Sequence, residues 1–341
     1  MPLSGAFRFL FYHINDMNVE TLKQKVLAGG FVSPDEAHWL AFHAEKEALY
    51  EAAHELTRHF LGAKFDLCSI INAKSGNCGE DCKWCAQSLH YHTAAEIYPL
   101  LPAERCVEEA VYNSRKGVRR FSLVTSGKRL SPVDIEKIAA TVRRIRQSCP
   151  VRCCASMGLL KREDLQRLFD AGVETYHCNI ETAPSFFPSL CSTHTTEQKL
   201  ATLRTAREIG FRLCSGGILG MGETMEQRIE MAMLLHDEGI LSIPLNLLQP
   251  IAGTPLEHVA PLPTDELLTS IALFRWINPR AFLRFAGGRR QLSEEVQQKA
   301  LFIGINSAIT GDMLTTSGCG IDADKNRLVQ AGYSLEINTD W

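Results

Sequence analysis

From Phe65 onward, short runs rich in β-branched and other apolar residues alternate with longer stretches whose apolar positions recur at helical spacing. The runs are Leu67–Ala73, Arg120–Thr125, Val151–Met157, Thr175–Glu181, Arg212–Leu219, Ser242–Leu248, Phe282–Ala286 and Gly304–Ile309. Between them the pattern predicts helices over Ala103–Lys116, Pro132–Gln147, Arg162–Ala171, Thr196–Ile209, Met225–Glu238, Thr264–Trp276 and Ser293–Leu301. Gly117, Gly172, Gly210 and Gly239 follow four of these, where a left-handed residue ends a helix. Alternating strand and helix signals mean a parallel sheet, and eight strands predict a closed (β/α)8 TIM-type barrel, an α/β fold. In such a barrel, function sits on the loops after the strands' C-terminal ends.

Ahead of the barrel, Asn18 to Leu61 has helical periodicity, broken at Gly29-Gly30 and restarted by the cap-like Ser33-Pro-Asp-Glu36. The chain therefore divides into an N-terminal helical extension (1–64), the barrel (65–315) and a C-terminal tail (316–341). Residues 1–16 lack a period and read as a loose arm. The tail, with Gly318, Gly320 and many charges, reads as a partly disordered surface segment. Pro250 to Pro263 is the longest irregular piece in the barrel and is placed to cover the active face.

A chain of 341 residues with 45% hydrophobic content can bury a large core. Its net charge of −3, with both signs interspersed, offers no nucleic-acid or anionic-membrane surface. The apolar start is too short to span a bilayer and lacks the marks of a secretory signal. Twelve cysteines in such a chain point to a reducing cytoplasm and metal chemistry rather than to disulfides.

The cysteines gather most densely in Cys78-Gly-Glu-Asp-Cys82-Lys-Trp-Cys85. Thiolates spaced C-x-x-x-C-x-x-C, on the loop after the first strand, can converge on one soft metal centre. With three protein ligands a four-iron cluster keeps one iron open, as a catalytic metal site requires. Half of a zinc site is the alternative, weakened because a second cysteine pair is lacking nearby.

This spacing, with Trp84 before the third cysteine, resembles the radical S-adenosylmethionine (SAM) enzymes. Further words narrow the resemblance. They are Ser69-Ile-Ile-Asn-Ala-Lys-Ser-Gly76, Ala86-Gln-Ser88, Tyr176-His-Cys-Asn-Ile-Glu-Thr182, Cys214-Ser-Gly-Gly-Ile-Leu-Gly-Met-Gly-Glu-Thr224 and Phe282-Leu-Arg-Phe-Ala-Gly-Gly-Arg289. From about Leu67 to Thr315 the chain looks like the biotin synthase family. The resemblance implies a [4Fe-4S] cluster on Cys78, Cys82 and Cys85 that binds SAM at its open iron. It implies contacts to SAM from Trp84, Glu181, Lys199, Gly216 and Gly217. Lys199 stands where the family often has an arginine, so the charge is kept and the bidentate fork lost. Asn179 and Asn246 match residues that bind the ureido ring of the substrate, dethiobiotin. An amide supplies both donor and acceptor to such a ring.

Cys154, Cys214 and Arg284 align with ligands of an auxiliary iron–sulfur cluster that donates sulfur. The family's further cysteine, on strand two, is Ser122 here, and a hydroxyl is a poor substitute for thiolate. Strand one instead carries Cys68. Alternate strands share an interior layer, so Cys68, Cys154, Cys214 and Arg284 of strands one, three, five and seven are expected to face one auxiliary cluster, of [2Fe-2S] or larger type, with Arg284 as fourth ligand or close neighbour and Ser122 in the neighbouring layer; the alternatives are a Cys68 packed as a hydrophobe and an Arg284 buried in a salt bridge. Parity puts His177, Asn179 and Glu181 inward and Cys178 outward as a packed hydrophobe. Cys191 stays unassigned on the active face; Cys106, Cys149 and Cys319 read as structural or incidental, and His54 and His59 as surface or packing residues.

The resemblance implies sulfur insertion into dethiobiotin, with two SAM molecules cleaved to 5′-deoxyadenosyl radicals per biotin. It also implies a flavodoxin- or ferredoxin-type electron donor, cluster-assembly machinery and a homodimer, with no nucleic acid or membrane. Two other readings are weighed against it. One is a related radical SAM enzyme of the hydrogenase-cofactor maturase or methylornithine synthase type. The other is a non-enzymatic iron–sulfur or zinc carrier.

Overall fold

A computed structural model describes residues 17–311, 313–316 and 318–335. The predicted arm at 1–16 lies outside them. The N-terminal extension folds as α1 (Val19–Leu27), α2 (Pro34–Phe42) and α3 (Lys46–Leu61). Ser33 and Glu36 form the expected reciprocal cap with Pro34 in the first turn. Helix α3 lies against the outside of the barrel: Trp276 Nε1 donates to Leu49 O at 3.3 Å and Tyr50 Oη lies 3.2 Å from Thr269 Oγ1. His54 stacks on Phe302 with centroids 4.3 Å apart, the packing role expected of it.

The barrel follows as β1 (Asp66–Lys74), α4 (Ala103–Arg115), β2 (Arg120–Thr125), α5 (Pro132–Ser148), β3 (Arg152–Ser156), α6 (Arg162–Ala171), β4 (Val173–His177), α7 (Thr196–Ile209), β5 (Arg212–Cys214), β6 (Gly217–Leu219), α8 (Met225–Asp237), β7 (Ser242–Leu247), α9 (Thr264–Ile277), β8 (Phe282–Phe285), α10 (Glu294–Ile303) and β9 (Ser307–Ile309). All neighbours pair in parallel. The ring closes where β9 meets β1, with Asp66 opposite Ser307. Strands β5 and β6 share one of the eight positions, both pairing with β7. The predicted fifth strand splits because Ser215 and Gly216 face the Pro244 region of β7, and proline has no N–H for the ladder.

Two differences from the sequence pattern shape the molecule. The fourth strand begins at Val173 and ends at His177, not Glu181. Beyond His177 the pairing turns irregular: Asn179 Oδ1 takes the Gly216 N–H at 3.0 Å, and Glu181, at φ +73°, re-pairs with Gly217 as an isolated parallel bridge, forming a lip. The tail, expected to lie partly disordered on the surface, instead carries α11 (Ile321–Gln330) within its described part. Ile321, Leu328 and Tyr333 are buried, and Arg289 pairs with buried Asp324 at 2.5 Å. An apolar stripe with a compensated buried charge outweighs the charged surface of that helix. One continuous core takes in the extension, the barrel helices and this tail helix. Among the described residues, no helix is long and apolar enough to cross a membrane.

Candidate active site

The barrel interior holds a cavity of about 320 Å³. Alternation along the strands turns Cys68 and Ile70 of β1, Ser122 of β2, Cys154 of β3, Cys214 of β5 and Arg284 of β8 toward it. Above them His177, Asn179, Glu181, Asn246 and Trp84 line the same space. The parity reading therefore places the inward face of strand four correctly even where the ladder has ended. Cys178 joins the hydrophobic core.

At the floor, Asp66 holds two guanidiniums. Its carboxylate accepts from Arg120 Nε at 2.9 Å and from Arg284 Nη2 at 2.7 Å, with all three side chains 3% exposed or less. Burial opposes the Arg284 charge, but Asp66 and the surrounding thiols outweigh it and hold the guanidinium protonated. The buried salt bridge foreseen as the alternative role for this arginine is thus present. Sequence reasoning misses Asp66 and Arg120, which look like ordinary strand ends.

The Cys68 thiol donates to Ser69 O at 3.4 Å; its proximity to Cys154, with help from the nearby arginines, pulls the Cys154 thiol down to about 7 despite burial. Cys68, beside Cys154 and buried, is pushed well up. Cys214 Sγ lies 3.3 Å from Ser242 Oγ, and burial raises its thiol as well. Three soft donors on facing strands beside two cations suit an anionic sulfide-bearing cluster. Ser122 stands in register with Cys154 and lines the same cavity, so the expected separation of strand two into another layer does not keep it out.

At the mouth, the loop after β1 carries Cys78, Cys82 and Cys85. It folds on itself through Cys78 N–H to Gln87 O and Leu89 N–H to Cys78 O, at 3.0 and 2.7 Å. Trp84 points from this loop to the cavity and packs edge-on to Phe187, with centroids 6.3 Å apart. Burial lifts the Cys85 thiol to about 11, so a bound cation must compensate for ionising it. That fits a site built for a metal cluster.

Lys199, on α7, is buried rather than solvated, with its ammonium 5.7 Å from the Phe187 ring centre. Desolvation disfavours its charge, but Cys178, Glu181 and the loop thiols outweigh it and the pKa rises. Burial raises the Glu181 carboxyl. Each asparagine also ties the wall together. Asn179 Nδ2 donates to Glu181 at 3.3 Å, Asn246 Nδ2 donates to Gly217 O at 3.0 Å, and Asn246 Oδ1 accepts the Gly287 N–H at 2.9 Å.

Gly216 and Gly217 are also demanded by packing within the wall. A Cβ on Gly216 would stand 2.0 Å from Pro244 O, and one on Gly217 would stand 2.3 Å from Glu181 O. The barrel wall itself requires these glycines.

The Pro250–Pro263 segment does cover the mouth. Gln249 and Ile251 line the cavity, and Leu256 packs with Met221 and Leu190 in a small apolar cluster next to Trp84. The junction of barrel and tail joins this cover unforeseen: Leu314 O accepts from Asn72 Nδ2 at 2.9 Å, and Thr316 Oγ1 donates to Gln249 at 3.0 Å.

Comparison with known proteins bears on the same residues. A model of the Radical SAM superfamily matches residues 73–235, and one of the Biotin and Thiamin Synthesis associated domain matches 244–334. The biotin synthase of Parabacteroides distasonis is 64% identical over 325 residues, covering 95% of this chain and 99% of the relative. The chain belongs to the biotin synthase family. The biotin synthase of Porphyromonas gingivalis is 60% identical, over 95% of this chain and 98% of its own. Solved structures agree in fold. A methylornithine synthase superposes with TM-score 0.79 at 18% identity, covering 92% of this chain and 96% of its own. An FeFe-hydrogenase maturase from Carboxydothermus hydrogenoformans gives 0.78 at 15%, covering 96% and 82%. Those two carry the fold alone, whereas biotin synthases match in sequence throughout. The chain is a radical SAM sulfur-inserting enzyme whose family uses SAM, a [4Fe-4S] cluster and an auxiliary iron–sulfur cluster.

Proposed function

We propose that dethiobiotin lies in the barrel cavity between the Cys78–Cys82–Cys85 loop and the Cys68, Cys154 and Cys214 wall, and is closed there to biotin. The observation that carries this is a single cavity lined both by Trp84 of the motif loop and by all three deep cysteines. When bound, the [4Fe-4S] cluster with SAM supplies homolytic removal of hydrogen and the auxiliary cluster supplies sulfur, chemistry beyond any side chain.

The chain's own residues hold and orient. Cys78, Cys82 and Cys85 bind the first cluster. The buried Lys199 ammonium calls for an anion, and the SAM carboxylate supplies one; Glu181 is placed for the ribose hydroxyls, and Trp84 borders both. Gly216 and Gly217 shape the wall beside SAM. Asn179 and Asn246 each keep one amide N–H beyond the wall contacts described, which suits the ureido ring. Cys68, Cys154 and Cys214 bind the auxiliary cluster. Arg284, committed to Asp66 and lacking a lone pair while protonated, acts as a charge-neutralising neighbour rather than a fourth ligand. The Leu248–Val259 cover and the Leu314–Thr316 strap exclude water.

The chain acts in a reducing cytoplasm, a reading supported by twelve free cysteines. We place it there as a homodimer, divided at 1–64, 65–315 and 316–341, reduced by a flavodoxin- or ferredoxin-type donor and served by cluster-assembly machinery. The test uses two variants prepared anaerobically. Cys82→Ala is expected to stay folded and to lose reductive SAM cleavage. Cys68→Ala is expected to keep SAM cleavage but lose auxiliary iron and sulfide by Mössbauer counting. Wild-type SAM cleavage in the first variant refutes the motif assignment; full iron content and biotin formation in the second removes Cys68 from the ligand set.

A further inference from the structure

The loop after β4 returns to the cysteine motif. Asp81 Oδ1 accepts the Ser192 N–H at 2.9 Å and the Thr193 N–H at 3.2 Å, which pins the two loops together. Cys191 Sγ then lies 3.7 Å from Cys82 Sγ, and a His194 ring nitrogen joins them, all within 4.8 Å of one another. His194 is oriented before any ion arrives. Its Nδ1 meets Glu80 Oε2 at 2.5 Å and its ring packs on Phe187 with centroids 5.4 Å apart.

We propose that Cys82, Cys191 and His194 form a mononuclear site for a zinc-class divalent cation, filled when the [4Fe-4S] cluster is absent. Two thiolates on one tetrahedral zinc, with Zn–S about 2.3 Å, stand about 3.8 Å apart. The observed 3.7 Å matches that spacing. Thiolates on different irons of one cluster stand farther apart, so this pair suits one ion rather than a fourth ligand to the cluster. In the tautomer whose Nδ1–H donates to Glu80, Nε2 keeps its lone pair; Nδ1 lies 3.3 Å and Nε2 3.9 Å from Cys191 Sγ. A carboxylate behind a ligating imidazole is the usual support of such a ligand. The fourth position is open to water or substrate-like ligands.

The site's function follows from its sharing one residue with the motif, a step that rests on Cys82 being a cluster ligand. Cys82 cannot serve both metals. A bound zinc-class ion holds the cluster-free loop folded and blocks loading until it is exchanged. Cys78 and Cys85 take no part in it.

The test is an anaerobic titration of the full-length, cluster-free, reduced chain with Co²⁺ as the probe. One Co²⁺ per chain is expected, with thiolate-to-cobalt charge transfer and tetrahedral ligand-field bands. Cys191→Ser and His194→Gln should each weaken binding at least tenfold, whereas Cys78→Ser should stay within about twofold of the parent chain, and circular dichroism should show all three folded. Chain loaded with the [4Fe-4S] cluster should take up no Co²⁺ here. Parent-like binding by Cys191→Ser, loss in Cys78→Ser, or Co²⁺ bound alongside the cluster each overturns the proposal. Co²⁺ binding is read without SAM or dethiobiotin, so its failure is distinct from failure of the biotin-forming assignment.

Discussion

Replacing Asp66 by Asn keeps the shape of the barrel floor and removes one negative charge from it. The carboxylate is fully buried and faces two guanidiniums, Arg120 at 2.9 Å and Arg284 at 2.7 Å. At an effective dielectric of about 20, a charge pair some 4 Å apart is worth about 4 kcal/mol. Removing one partner of a buried pair typically costs about 3–5 kcal/mol, because the remaining charge is left uncompensated. Here one substitution removes the carboxylate that two cations share, and such coupled contributions do not add, so a loss of about 3–5 kcal/mol in total is expected rather than twice that. The assay is urea unfolding, with the midpoint falling at unchanged slope. Adding Arg120→Met should recover at least about 1 kcal/mol, since one stranded charge goes with it. A loss under about 1 kcal/mol, or further destabilisation by the second change, refutes the view that this triad holds the floor.

Gly216→Ala forces a methyl to within 2.0 Å of Pro244 O, which is backbone and cannot swing away; a loss of about 1–3 kcal/mol or more is expected by thermal unfolding. Asn246→Ala removes the bridge between Gly217 and Gly287 as well as a partner for the ureido ring; calorimetry should show dethiobiotin affinity reduced by about 1–3 kcal/mol, and unchanged affinity counts against the substrate assignment. Burial holds the His177 imidazole down at about 4. The unfolded chain therefore binds the extra proton first as pH falls, so the stability this residue contributes is complete above about 6.5 and drains away toward 4, by a few kcal/mol at most. His177→Gln should flatten that part of the stability–pH curve, and an unaltered curve contradicts the burial argument.

Which parts of this were legible follows from how local each signal is. Parity along a strand is local, so the inward face of His177, Asn179 and Glu181 could be assigned although the ladder stops at His177. Hydrophobic periodicity is local too, and it located all eight barrel positions. The Asp66 pairs join residues 54 and 218 positions apart, and no local pattern marks an aspartate that begins a strand as the anchor of two arginines. The tail did carry a usable signal: Ile321 and Leu328 are seven residues apart on one helical face, which the neighbouring glycines and charges obscure. Cys191-Ser-Thr-His194 also had metal-ligand spacing, but its partner Cys82 lies 109 positions earlier, on a loop already explained by its own motif. Lys199 shows the converse, since its helix position suggests solvent and only the packed structure buries it.

The strap at Leu314–Thr316 and the Arg289–Asp324 pair set a schedule for synthesis. The motif loop near residue 80 leaves the ribosome some 230 positions before the chain that covers it, and β1 cannot be sealed into a ring until β9 at 307–309 has appeared. Contacts this far apart in sequence are among the last to form. Until β9 pairs with β1, the strands that carry Cys68, Cys154 and Cys214 cannot enclose the cavity those side chains line. A chain that ends before residue 324 lacks the carboxylate that pairs with the buried Arg289.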